Sequence, residues 1–203
     1  MKLTLGNLRV PAVPPPPGTY ATWNPSDKGS NITLSGGDLI ATHTAGGSTD
    51  GLRGTNGKSS GKWYYEITLG VATQSYIGAA NATASLSGIF GASDSNAITY
   101  YANLGSIYNG AIIATLATYA AGDTIRVAVD VDAGLYWTSK TSAGWNGGAG
   151  DPAAGTGGYS IASLGTPVYI GATMFSNGTT LTLNAGASAF IGTVPAGFSA
   201  WTT

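Results

Sequence analysis

The run Lys62–Leu69, reading Lys-Trp-Tyr-Tyr-Glu-Ile-Thr-Leu, alternates with a period of two. Trp63, Tyr65, Ile67 and Leu69 are apolar, whereas Lys62, Tyr64, Glu66 and Thr68 can all face water. Successive side chains leave a strand on opposite sides, so this pattern describes a strand with one buried face. Residues 124–132 repeat it, with Ile125, Val127, Val129 and Val131 set against Thr124, Arg126, Ala128 and Asp130. Residues 180–183 and, more weakly, 168–174 do the same, and each run is bounded by Gly, Asn or Asp, the residues that turns require. Aromatic and β-branched side chains fill the inward positions, which predicts an all-β, two-sheet antiparallel sandwich.

Composition narrows the function classes. Charged residues make up 8% of the 203, against about a quarter in ordinary globular proteins. A net charge of −1 offers no grip on phosphate backbones, so nucleic acid is not an expected partner. The hydrophobic fraction of 43% supplies enough apolar surface for a core and argues against disorder. With so little charge, exposed sheet edges are poorly defended against association, which points to a homo-oligomer or a multi-copy assembly. There is no Cys, which excludes disulfides and thiolate metal sites. No apolar run approaches the roughly 20 residues that span a bilayer, and no secretory h-region follows the first residues, so no membrane association is expected.

Residues 1–18 read as a separate arm. Pro11, Pro14–Pro17 and Gly18 form a tract that favours extended polyproline geometry, preceded by Leu3, Leu5, Leu8 and Val10. One reading is a frayed terminus or one more edge strand; the other is an anchor peptide on a semi-rigid stalk that docks onto another subunit. From residue 19 to 203 the pattern is that of one domain. Residues 31–35 and 38–44 form a hairpin about Gly36-Gly37, and short strands follow at 76–80, 97–102 and 106–108. Residues 111–121 are ambiguous, since Ile112, Leu116 and Tyr119 also fit helical spacing, but they read as strand and loop because no helix cap precedes them. Phe198 and Trp201 are expected to pack on the sandwich rim.

Catalytic chemistry is hard to find. The chain has one His, one Glu and eight Asp. A retaining glycosidase needs two carboxyl groups about 5–5.5 Å apart, and Glu66 has no second Glu on its strand. Asp130 and Asp132 read as residues that close a strand and cap the Ala133-Gly134 turn. His43, between Thr42 and Thr44, reads as an ordinary surface or rim histidine with no catalytic partner nearby. Asp94, Asn96 and Asp151 could supply oxygens to calcium, but no ordered Asp-x-Asp loop exists, and no metal or cofactor is expected. The Gly-rich stretch 144–158 lacks the Lys and the following helix of a phosphate cradle. Three Asn-x-Thr sequons, at Asn31, Asn81 and Asn177, match by chance in a chain so rich in Asn and Thr.

An ordered series of segments resembles the SPRY domain in the form carried by bacteriophage and prophage genes. It comprises WNPSDKGSNITLS at 23–35, GKSSGKWYYEITL at 57–69, YIGAAN at 76–81, YYANLGSIYNG at 100–110, GDTIRVAVDVDAG at 122–134 and GDPAAGTGG at 150–158. The series closes with TPVYIGATMF and LTLNAG between 166 and 186, and with the terminal VPAGFSAW. The resemblance covers nearly everything after Tyr20 and implies a concanavalin-like sandwich that binds without catalysing. The chain departs from the pattern after Leu135-Tyr136-Trp137, where a hairpin is lengthened or reshaped before Trp145-Asn146-Gly147.

Aromatic residues beside amides are the remaining candidates, because sugar sites use an exposed ring face with nearby donors and acceptors and need no net charge. Trp145, Asn146, Tyr108, Asn109, Tyr100, Tyr101 and Asp151 are the candidate ligand contacts. The competing reading is that Tyr100 or Tyr101, and Tyr108, are inward-facing core residues. Together with the resemblance, these observations imply a non-enzymatic virion protein, part of a tail fibre, tail tip or capsid decoration. Such a protein would bind a bacterial surface glycan or protein and other virion proteins through the N-terminal arm. Two alternatives stand beside it: a decoration that only cements neighbouring subunits, and a glycan-cleaving enzyme on the same sandwich.

Overall fold

In the computed structural model, which describes residues 19–71, 74–92 and 94–203, the period-two runs become strands of two packed sheets. The anchor residues Leu3, Leu5, Leu8 and Val10 and the Pro tract lie outside the described residues. In chain order the strands are β1 (Trp23–Lys28), β2 (Ile32–Ser35), β3 (Ile40–His43), β4 (Asp50–Gly54), β5 (Lys62–Leu69), β6 (Ser75–Ala80), β7 (Ala97–Tyr101) and β8 (Ser106–Tyr108). They continue with β9 (Ile112–Thr115), β10 (Thr124–Asp130), β11 (Leu135–Lys140), β12 (Tyr159–Ser160), β13 (Tyr169–Met174), β14 (Thr180–Asn184) and β15 (Ser199–Ala200). One sheet runs β1-β4-β13-β6-β7-β8-β9, the other β12-β11-β10-β5-β14-β3-β2, and β15 lies parallel beside β5. All other pairings are antiparallel, so the expected all-β sandwich is the observed one. Helix is confined to two 3-10 turns among the described residues, and none is long and apolar enough to cross a membrane.

Register explains the core. β10 pairs with β5 so that Val127 faces Tyr65, Ile125 faces Ile67 and Val129 faces Trp63. These side chains meet Ile77, Ile98, Tyr100, Ile170 and Leu52 from the seven-stranded sheet in one buried cluster. Burying each large side chain contributes about 1.5–3 kcal/mol before chain entropy is counted. In the β2–β3 hairpin Gly36, Gly37 and Asp38 have φ of 61°, 68° and 63°, a left-handed run that explains both glycines.

The alternation in β5 is read correctly on one face and wrongly on the other. Tyr64 and Glu66, expected to face water, are buried, as are Ala128 and Asp130 on the same face of β10. The cause is a third layer: residues around 145 and 190–198 fold back over the outer face of the eight-stranded sheet. Tyr64 meets Phe190 edge-on at 4.8 Å and Trp145 at 6.3 Å, and Trp137 meets Phe198 at 6.1 Å. Phe198 therefore belongs to this outer layer. Trp201, expected on the rim, is fully buried in the main core, 5.4 Å from the Tyr65 ring, with its Nε1–H donated to the Asn56 carbonyl at 2.9 Å.

Candidate functional site

Pairing of β6 with β7 and of β7 with β8 sets Tyr76 opposite Tyr101 and Tyr108 opposite Thr99. The same pleat that sends Ile77, Ile98 and Tyr100 into the core sends Tyr76, Tyr101 and Tyr108 to the outer face of the seven-stranded sheet. There Tyr76 and Tyr101 stack at 4.2 Å with 9° between planes, and Tyr108 stands edge-on to Tyr76 at 5.7 Å. Beside the stack, Gln74, Ile89 and Phe175 complete a groove of about 190 Å³. No charged side chain lines it. Burial raises the Tyr76 phenol well above its ordinary value, with further upward contributions from Tyr101 and Tyr108, so it stays a neutral donor. Larger depressions among the described residues measure about 470 Å³ around Tyr20, Asp38 and Asn56, about 330 Å³ beside the β10–β11 turn, and about 260 Å³ around Ala84, Phe90 and Asp94. None of the three holds a pair of stacked rings.

The residues singled out in the sequence do not assemble into one site. Tyr100 is a core residue whose hydroxyl bonds to the Ala117 carbonyl, which matches the inward reading for that tyrosine. Tyr101 and Tyr108 are partly exposed and belong to the groove region. Asn109 is tied to the β12 side, donating to the Ser160 carbonyl at 3.1 Å and accepting from Ser163 at 3.3 Å. Trp145 lies on the opposite sheet under the Arg126 guanidinium, 4.1 Å from the ring centre. Asn146 is buried: its Oδ1 accepts from the Thr138 N–H at 2.9 Å and its Nδ2 donates to the Gly157 carbonyl at 2.7 Å. It stitches the lengthened 142–158 segment to β11. Asp151 is exposed, accepts from the Ala154 N–H of its own turn, and lies far along the chain from Asp94, which accepts from Asn96.

His43 is a correction. It is fully buried, because β3 alternation turns it inward, and its Nε2 lies 2.9 Å from Asp50 Oδ2 on the facing sheet. Asn31 and Ser48 also donate to that carboxylate, at 3.1 and 2.9 Å. Burial pushes the Asp50 carboxyl up, but the bonds from His43, Asn31 and Ser48 outweigh it and hold the group below the usual aspartate value. Ser48 and Asp50 both approach the same ring nitrogen, at 3.5 and 2.9 Å. A nucleophile relay needs them on opposite nitrogens, so this cluster is a clamp between the sheets and not a triad.

The carboxylates have structural engagements as well. Glu66 accepts from Tyr64 Oη at 2.6 Å, from the Ile191 N–H at 2.9 Å and from the Gly192 N–H at 2.7 Å. Asp130 pairs with Lys62 at 2.9 Å and caps the Ala133 N–H, the turn-closing role expected of it, while Asp132 instead accepts from the Gly61 N–H just before β5. Sequence reasoning missed Gln74, Tyr76, Ile89 and Phe175 as groove residues. Tyr76 carries a readable strand signal, but only the register with Tyr101 reveals the stack.

No family model matches the sequence, and no curated protein sequence matches it. Solved structures do. The SPRY domain of human HERC1 superposes with a TM-score of 0.60 at 18% identity, over 79% of this chain and 96% of that domain. The TRIM65 PSpry domain gives 0.62 at 13% identity, over 81% of this chain and 92% of the other. A human SPRY domain gives 0.55 at 15%, over 80% and 98%. The fold is therefore of the SPRY type.

Proposed function

We propose that the chain is a non-catalytic recognition module displayed on a bacteriophage virion, and that its groove at Tyr76 and Tyr101 holds one ring of a host-surface glycan. The observation that carries this reading is the uncharged aromatic ledge beside Gln74. Ring faces take the apolar side of a sugar, and the Gln amide supplies both a donor and an acceptor. At about 190 Å³ the groove is smaller than the roughly 300–1,000 Å³ of drug-sized sites and suits a single ring at the end of a chain. The sole Glu is committed to three hydrogen bonds, which supports a role without turnover. A virion setting rests on the ordered resemblance of residues 23–201 to phage-borne SPRY domains and on the low charge. Weak contacts of this kind gain strength from multi-copy presentation.

Glycan-array screening of the full chain tests the proposal. A hit whose binding drops at least tenfold in Tyr101→Ala, yet is unchanged in Trp145→Ala, supports it. Loss with Trp145→Ala alone moves the site to the opposite sheet. Binding only to host-surface proteins, with no glycan retained, overturns the sugar reading.

A further inference from the structure

Gln74 is the one amide in the groove, and every other side chain lining it is aromatic or aliphatic. The last pair of the β6–β13 ladder joins Ser75 to Met174, so Gln74 and Phe175 stand one step further on. By the alternation, both share the outer face with Tyr76. Ser176 Oγ donates to Gln74 Oε1 at 3.4 Å, which keeps the two chains side by side and ties down the carbonyl end of the amide. Among the described residues, Gln74 Nε2 makes no hydrogen bond, so its donors are left to the groove. Ile89 reaches the groove from the segment joining β6 to β7. That segment is pinned to the sheet: the Phe90 N–H donates to Thr173 Oγ1 at 3.1 Å, and Thr99 Oγ1 donates to the Phe90 carbonyl at 2.7 Å. Ile89 and Phe175 are both half-buried, so each still presents apolar surface to an occupant.

On the reading that this groove takes a sugar ring, we propose that the ring is a neutral N-acetylated hexosamine, with its acetamido group set against Gln74. The carbonyl and the methyl of an acetamido group leave the same carbon. A hydrogen-bond donor flanked by apolar side chains therefore meets both at once: Gln74 Nε2 donates to the carbonyl, and the methyl covers Ile89 and Phe175. The acetamido N–H points the other way, to solvent. A hydroxyl in its place could accept from Nε2, but it covers neither apolar side chain and sets its own proton against them. An ammonium in its place brings a charge that no lining residue opposes, and it faces the Nε2 donors with no lone pair to offer. The groove thus rejects the hydroxyl and the amine for different reasons.

The test is biolayer interferometry of the full chain against immobilised oligosaccharides that differ only in the terminal ring: N-acetylglucosamine, glucose or glucosamine. The acetamido chain is expected to bind about tenfold or more tightly than either of the others. Gln74→Leu, checked for folding by circular dichroism, lowers acetamido binding by about fivefold or more. Equal binding of the three chains overturns the acetamido assignment and leaves the sugar reading in place. Acetamido binding unchanged in Gln74→Leu overturns it too. So does failure of all three chains where an array still finds a glycan whose binding needs Tyr101. An array without any bound glycan removes the sugar reading itself, and this proposal with it.

Discussion

Replacing Glu66 with Gln separates a structural carboxylate from a catalytic one. Glu66 sits under the outer layer, and its two oxygens take the Tyr64 hydroxyl and the backbone N–H groups of Ile191 and Gly192 at 2.6–2.9 Å. A bond to a charged acceptor contributes about 1.5–3 kcal/mol, and a buried donor left unsatisfied costs about 1–3 kcal/mol. Gln keeps one carbonyl oxygen but turns an NH₂ toward a backbone N–H, so one bond becomes a donor facing a donor. The expected loss is about 3 kcal/mol. At about 2–4 °C per kcal/mol for a domain of this size, the melting temperature falls by about 6–12 °C. Urea unfolding followed by tryptophan fluorescence should show a lower midpoint at an unchanged slope. A variant with wild-type stability that loses a polysaccharide-cleaving activity would refute the structural assignment and restore the enzyme alternative.

Three more outcomes follow from the packing. Gly78→Ala places a Cβ against the Ile98 carbonyl group and 2.9 Å from Thr99 Cα, both backbone of β7, so the central strands must separate. A loss of about 3 kcal/mol in urea is expected, and a neutral result would contradict the pairing of β6 with β7. Asn146→Ala removes the bonds to Thr138 and Gly157 and leaves Ala at φ 48°, where Asn is better tolerated. Limited proteolysis should then cut within 142–158, and Asn146→Gly should cost less than Asn146→Ala because it relieves the backbone. Asp50 has a folded pKa below its unfolded value, so its contribution is fully present above about pH 4 and disappears as pH falls through the folded value. The urea midpoint of wild type should drop below pH 4 more steeply than that of Asp50→Asn; equal slopes would remove Asp50 as the cause.

The sandwich was legible because it depends on local alternation. Trp63, Tyr65, Ile67, Ile125, Val127 and Val129 announce an inward face without help from the rest of the chain. The outer layer was not legible, since nothing near Tyr64 or Glu66 signals that residues 190–198 return to cover them. His43 failed for the same reason: its partner Asp50 belongs to the facing sheet, and pairing across sheets leaves no period in a sequence. The candidate site was half visible. Tyr101 and Tyr108 stand out as aromatics near turns, but Asn146 has the same appearance and is a buried stitching residue, while the half-exposed Trp145 lies on the opposite sheet beside Arg126. Composition alone cannot tell which sheet an aromatic side chain will lie on.

Trp201 sets an order of events during synthesis. It lies between rings from β5, made some 140 residues earlier, and the strand that delivers it adds to β5 in parallel. Ribosomes extend chains from the amino end at about 5–20 residues per second, so for several seconds Trp63 and Tyr65 exist without their final neighbour. The nascent sandwich is an open shell over that interval, and its closing piece arrives last.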